Sequence, residues 1–198
     1  MGIGKELGRC ALGFEMRKLL LTGWAGAEYR LVARETVPLL YEYSQRHGYE
    51  FACECMRGSR PPAWAKIALL NDGLRSFERV VWIDADVVVE RADVDVMEGI
   101  PEMMWQSLVL HTTECGEVPN TGVWVLSNEM VPFLEEAWKL EMYIDHAWWE
   151  QAAILKLMGY IVTENIPVSR LGNATPLYQN THFLDPTWNH HRNDLGRV

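Results

Sequence analysis

The sequence predicts an α/β domain with a mixed, mainly parallel sheet flanked by helices. Three observations carry this. Strand-like apolar runs alternate with runs of helical period between residues 18 and 89. One of them, Val80 to Val89, is apolar on both faces except at two aspartates, as a central strand covered by helices would be. The 198 residues are 48% hydrophobic and 23% charged, which allows one domain, residues 1–198, with a substantial core.

The elements follow in order. Lys18-Leu19-Leu20-Leu21-Thr22 reads as the first buried strand, and Trp24-Ala25-Gly26 turns the chain outward. A helix is expected from about Glu28 to Arg46, with Leu31, Val32, Leu39, Leu40 and Tyr43 in helical period, a break near Pro38 and a stop at Gly48. Tyr49 to Met56 is the second strand and Trp64 to Phe77 the second helix, entered through Pro61-Pro62. Val80 to Val89 is the strongest strand signal. Ser107–Thr112 and Gly122–Leu126 are expected as strands, and Val131–Tyr143 and His146–Met158 as helices. From Gly159 the chain reads as short strands and loops.

Composition narrows the function. A formal net charge of −9 is wrong for a partner of the nucleic-acid backbone. The first twenty residues carry Lys5, Glu6, Arg9, Glu15, Arg17 and Lys18 and lack the apolar stretch of a signal peptide. No run approaches the ~18 apolar residues of a transmembrane helix, and a cytoplasmic location is expected. Cys53-Glu54-Cys55 has no second pair at zinc-like spacing, so Cys10, Cys53, Cys55 and Cys115 read as buried reduced thiols.

Asp84-Ala85-Asp86 interrupts the apolar run. On a strand, positions i and i+2 share a face, so the two carboxylates are expected to project together. Burying them unpaired costs several kcal/mol each by order of magnitude, and their mutual repulsion adds to it. A divalent cation with a preference for oxygen, manganese or magnesium, resolves the conflict and can bridge to a diphosphate. Ligands of open α/β sheets gather at the carboxyl ends of strands, where these aspartates are expected.

Together with two later blocks, this motif resembles GT-A (Rossmann-like) glycosyltransferases, in particular the retaining galactosyl- and xylosyltransferases and the glycogenin-like group. The first block is Ala65-Lys66-Ile67-Ala68-Leu69-Leu70 followed by the strand ending in D-x-D. The second is Pro119-Asn120-Thr121-Gly122-Val123-Trp124-Val125-Leu126, similar to the family's N-x-G strand. The third is Trp149-Glu150-Gln151-Ala152-Ala153, similar to its [D/E]-Q helix start. Leu184-Asp185-Pro186-Thr187-Trp188-Asn189 resembles a segment near the family's C-terminal end.

The resemblance implies a metal-dependent transfer of a sugar from a nucleoside diphosphate sugar, a UDP-sugar foremost, to a carbohydrate or other hydroxyl acceptor, with retention. It implies Asp84 and Asp86 at the ribose and the metal-diphosphate, Asp86 being the firmer metal ligand, and Lys66 at the donor's phosphate or sugar. It places Asn120 at the acceptor or donor sugar, Glu150 and Gln151 near the anomeric carbon, and Trp24 and Ala25 at the nucleotide base. The family's metal-binding histidine has no clear copy: either His190 or His191 takes the role, or the ligand lies past Val198. Two other readings stand beside this one. One is a non-catalytic nucleotide-sugar-binding protein. The other is a D-x-D phosphatase with Asp84 as nucleophile, disfavoured because two strand-helix units precede the motif. Trp82 and Trp124 are expected in the core, while Trp148, Trp149 and Trp188 lie in parts of the chain near the acceptor side. His146 and Glu150, at i and i+4, are expected to share a helix face.

Overall fold

A computed structural model describes residues 16–113, 116–163 and 169–189. Its elements are β1 (Lys18–Trp24), α1 (Gly26–Arg46), β2 (Glu50–Cys55), α2 (Pro62–Leu74), β3 (Arg79–Ile83), β4 (Gln106–Thr113), β5 (Gly116–Ser127), α3 (Val131–Lys139), α4 (Trp149–Met158), β6 (Tyr160–Val162), β7 (Ser169–Leu171), α5 (Pro176–Gln179) and β8 (Thr181–Leu184). The main sheet is six-stranded, in the order β2-β1-β3-β5-β4-β8. Pairing is parallel at β1–β2, β1–β3 and β4–β8; β5 runs against both its neighbours. The sheet is therefore mixed and mainly parallel. β6 and β7 form a small antiparallel ribbon.

Alternation along the central strands builds two apolar layers. Leu19, Leu21, Val80, Trp82, Trp124 and Leu126 face one side and are covered by Trp64, Ile67 and Leu70 of α2, Leu134 of α3 and Leu155 of α4. Leu20, Val81, Ile83, Val123 and Val125 face the other, under Leu40 and Tyr43 of α1 and Val96. Trp82 and Trp124 are fully buried, as expected of them. Helices α1 and α2 thus lie on opposite faces of the sheet, and the chain reverses its direction of winding between β1 and β3. A crevice at the carboxyl ends of those two strands is where such sheets take ligands.

Four expectations are corrected. Pro38 does not break α1, because it sits on the exposed side, where water can satisfy the carbonyl that its missing N–H leaves free. The central strand stops at Ile83, so Asp84 and Asp86 are not on it. Pairing ends at Leu21↔Trp82 on one side and Ile83↔Val123 on the other. The Asp84 N–H still reaches the Gly122 carbonyl at 2.8 Å, and the Val87 N–H then bonds the Asp84 carbonyl at 3.0 Å to close a turn. Helix α4 begins at Trp149, which leaves His146 before it, with its Nε2 2.9 Å from the Thr163 carbonyl and its Nδ1 accepting from the Trp148 N–H. His146 and Glu150 therefore do not share a helix face. Cys53 and Cys55 are free but only half-buried, since β2 is an edge strand.

Gly159 ends α4 with φ 96°, and a Cβ there would overlap the Asn173 carbonyl oxygen at 1.9 Å. Among the described residues, no helix is long and apolar enough to cross a membrane. Leu126 has no exposed surface and sits at the centre of the first layer. Leu126→Ala is expected to lower the unfolding free energy by about 2–5 kcal/mol, read from the urea midpoint at unchanged slope.

Candidate functional site

Three elements meet at the carboxyl edge of the sheet. β3 delivers Asp84 just past its last residue, β5 carries Asn120, Thr121 and Gly122, and the first turn of α4 carries Glu150 and Gln151. Lys66, from α2, reaches into their midst and is only 4% exposed. Its Nζ lies 3.0 Å from Asp84 Oδ1 and 3.2 Å from Glu150 Oε1, donates to the Thr121 carbonyl at 3.1 Å, and stands 5.2 Å from the centre of the Trp82 ring. The Trp82 indole N–H donates to the same Asp84 oxygen at 2.6 Å. The Thr121 hydroxyl donates to Glu150 Oε1 at 3.0 Å, and the Thr121 N–H to Gln151 Oε1 at 3.4 Å.

Glu150 is 3% exposed. Desolvation pushes its pKa above the usual carboxylate range, Lys66 pulling the other way and Asp84 adding to the rise. Desolvation also works against the Lys66 ammonium, but Asp84 and Glu150 together outweigh it and hold the lysine above its ordinary value. Lys66 is thus a fixed cation. A strained residue aims Glu150 inward: Trp149 has φ 43°, rare for a bulky side chain. Trp149 itself is 48% exposed.

A second group converges on Gly122. The Gly122 N–H and Asn189 Nδ2 both donate to Asn120 Oδ1, at 2.7 and 2.8 Å. His111 Nε2 lies 2.7 Å from the Asn189 carbonyl. A Cβ on Gly122 would stand 2.8 Å from Asn189 Nδ2, 2.9 Å from Asn120 Oδ1 and 3.2 Å from Asp84 Oδ2, so only glycine lets these three side chains close together.

The sequence matches no family model, and no curated protein matches it. Solved structures do. A glycosyltransferase involved in glycosylation of the major capsid of PBCV-1 matches with a TM-score of 0.57 and 22% identity, over 70% of this chain and 73% of that one. The Streptococcus pneumoniae glycosyltransferase GlyE matches with a TM-score of 0.48 and 13% identity, over 71% of this chain and 43% of that one. A Drosophila β1,4-galactosyltransferase 7 mutant in complex with manganese, UDP-Gal and xylobiose matches with a TM-score of 0.47 and 11% identity, over 92% and 80%. The first of these carries the fold argument, and the six-stranded mixed sheet agrees with it. The chain has a GT-A glycosyltransferase fold.

In this GT-A domain, Lys66 joins Asp84 to Glu150, Thr121 ties Lys66, Glu150 and Gln151 together, and Asn120 holds the N–H of the adjoining Gly122. Trp24 and Ala25 are half-buried at the carboxyl end of β1, next to β3 in the sheet, and Ala25 precedes the first residue of α1 in an extended conformation. Asp86 is exposed in the turn after β3. His190 and His191 lie outside the described residues. Trp148 and Trp188 are half-buried. Thr121, His111 and Asn189 were missed by sequence reasoning as site residues. The tripeptide Asn120-Thr121-Gly122 was a signal for the first, but nothing in the sequence pointed to His111.

Among the described residues, no group of three or more His, Cys, Asp and Glu side chains could hold a metal ion. Asp84 and Glu150 share Lys66, and Asp86 lies exposed two residues past Asp84 in the turn, so the oxygens of the D-x-D pair stand at the rim of an acidic cluster. Magnesium and manganese are commonly held by one or two carboxylates plus substrate phosphates, so the residues present fit such an ion.

Lys66→Met is expected to cost about 3–5 kcal/mol of stability at neutral pH, because Glu150 is left buried and uncompensated. The folded pKa of Glu150 lies above its unfolded value and rises further without Lys66. The deficit, measured by urea denaturation, should therefore shrink as pH falls through that raised pKa towards the ordinary carboxylate range. Gly122→Ala should fold but push Asn189, Asn120 and Asp84 apart, lowering the unfolding free energy by about 1–3 kcal/mol, read from the urea midpoint.

Proposed function

We propose that this protein is a metal-dependent glycosyltransferase. It moves a hexosyl or pentosyl group from a nucleoside diphosphate sugar, a UDP-sugar first among candidates, to a hydroxyl of a carbohydrate or other acceptor, with retention. The observation that carries this reading is the Lys66 ammonium shared by Asp84 and Glu150 at the carboxyl edge of a GT-A sheet. It joins the D-x-D turn to the E-Q helix start, beside the Trp24-Ala25 loop that would take the nucleotide base.

In this reading Asp86 and Asp84 would hold manganese or magnesium. When bound, that ion supplies charge neutralisation to the leaving diphosphate. Asp84 and Asn120 orient donor and sugar hydroxyls. Glu150 and Gln151 lie beside the anomeric carbon, where the buried carboxylate favours the positive charge that develops there. The bond from the anomeric carbon to the phosphate oxygen breaks with its electron pair going to phosphate. The acceptor oxygen bonds that carbon on the same face, and its proton passes to a phosphate oxygen. Retention rests on the resemblance of the Glu150-Gln151 helix start to that of the retaining families, in which the leaving phosphate takes the acceptor's proton.

Titration with manganese and UDP by calorimetry tests the donor site. Wild-type protein is expected to bind UDP in a manganese-dependent way, and Asp86→Ala to weaken this at least about tenfold while melting at the wild-type temperature. If no nucleoside diphosphate binds, with or without metal, the reading fails.

A further inference from the structure

The β4–β5 ladder breaks beside the site. Leu108 pairs with Trp124, yet the next residue, Val109, pairs with Asn120, so residues 121–123 of β5 have no partner on β4. A bulge of this kind frees backbone groups and re-aims side chains. Thr121 uses everything it frees. It is 3% exposed, and each of its polar groups is spent on a different site residue: the N–H on Gln151, the carbonyl on Lys66 and the hydroxyl on Glu150. On the far side of the cluster the Trp82 indole does for Asp84 what the Thr121 hydroxyl does for Glu150. In both carboxylates one oxygen takes Lys66 and one further donor. Among the described residues no hydrogen bond engages Asp84 Oδ2 or Glu150 Oε2.

We propose that Thr121 is a positioning residue of the transfer site, its hydroxyl fixing the Glu150 carboxylate so that Oε1 faces Lys66 and Oε2 is presented to the ligand. This rests on the transferase reading above. Without the hydroxyl, Glu150 pivots about Lys66 alone, and the geometry needed at the anomeric carbon is lost while the nucleotide and metal contacts, which lie elsewhere, persist.

The test is hydrolysis of UDP-glucose, UDP-galactose, UDP-xylose, UDP-N-acetylglucosamine and GDP-mannose in manganese, with calorimetric binding of manganese and UDP alongside. On whichever donor the wild type turns over, Thr121→Val should lower kcat by about tenfold to a hundredfold, the range for a hydrogen bond to a charged group. UDP affinity should stay within about twofold, and Thr121→Ser, which keeps the hydroxyl, should recover most of the rate. Thr121→Ala serves as the hydroxyl-free variant if the valine protein does not fold. Adding Thr121→Val to Glu150→Gln should cost little beyond Glu150→Gln alone, since the hydroxyl acts through that carboxylate. The inference is overturned alone if wild type is active and Thr121→Val matches its kcat, if Ser falls as far as Val, or if UDP affinity drops in step with rate. A wild type that hydrolyses none of the donors overturns the transferase reading and this inference with it.

Discussion

The Lys66 ammonium is buried where the end of β3, the bulge of β5 and the start of α4 meet, and it binds a residue of each. An ammonium taken out of water is tolerated only if opposite charge and hydrogen-bond acceptors replace its hydration. Asp84, Glu150 and the Thr121 carbonyl supply both. The dependence is mutual: Asp84 and Glu150 could not sit so near one another without the cation between them. Position of the D-x-D turn, depth of Glu150 and direction of the β5 bulge are therefore coupled to one side chain.

Local irregularities around that cation are the cost of the arrangement. Trp149 adopts a left-handed conformation, β5 carries three residues unpaired with β4, and β3 ends earlier than its apolar sequence would allow. Regular sheet and helix on either side supply rigidity. Trp64, Trp82 and Trp124, all fully buried, hold α2 against β3 and β5, so Lys66 and Asp84 are presented from fixed supports. Trp82 has a double part, filling the core with its ring while its N–H orients Asp84.

Much of the architecture was legible because it follows from patterns local in sequence. Alternating strand and helix periods in residues 18–77 announced the parallel units, and the doubly apolar Val80–Ile83 announced a central strand. Where sequence reasoning erred, local pattern was silent about partners. Val87, Val88 and Val89 are as strand-like as Val80 and Val81, but among the described residues no strand pairs with them to complete a ladder. His146 has helical spacing to Glu150, but its ring is drawn to the Thr163 carbonyl.

The chemistry of the site divides in the same way. Residue types and their order along the chain determined that a D-x-D pair after an apolar strand, a lysine helix, an N-x-G strand and an E-Q pair near a helix start would all be present, since those depend only on covalent sequence; that the D-x-D pair sits in a turn and not on the strand was decided by the sheet. Only the tertiary structure decided that Lys66 belongs to Asp84 and Glu150, that Thr121 ties Glu150 and Gln151 to the strand, and that Asn189 and His111 close over Gly122. These pairings join residues well separated along the chain, and they are set by the packing of α2 and α4 on one face of the sheet rather than by any short-range preference.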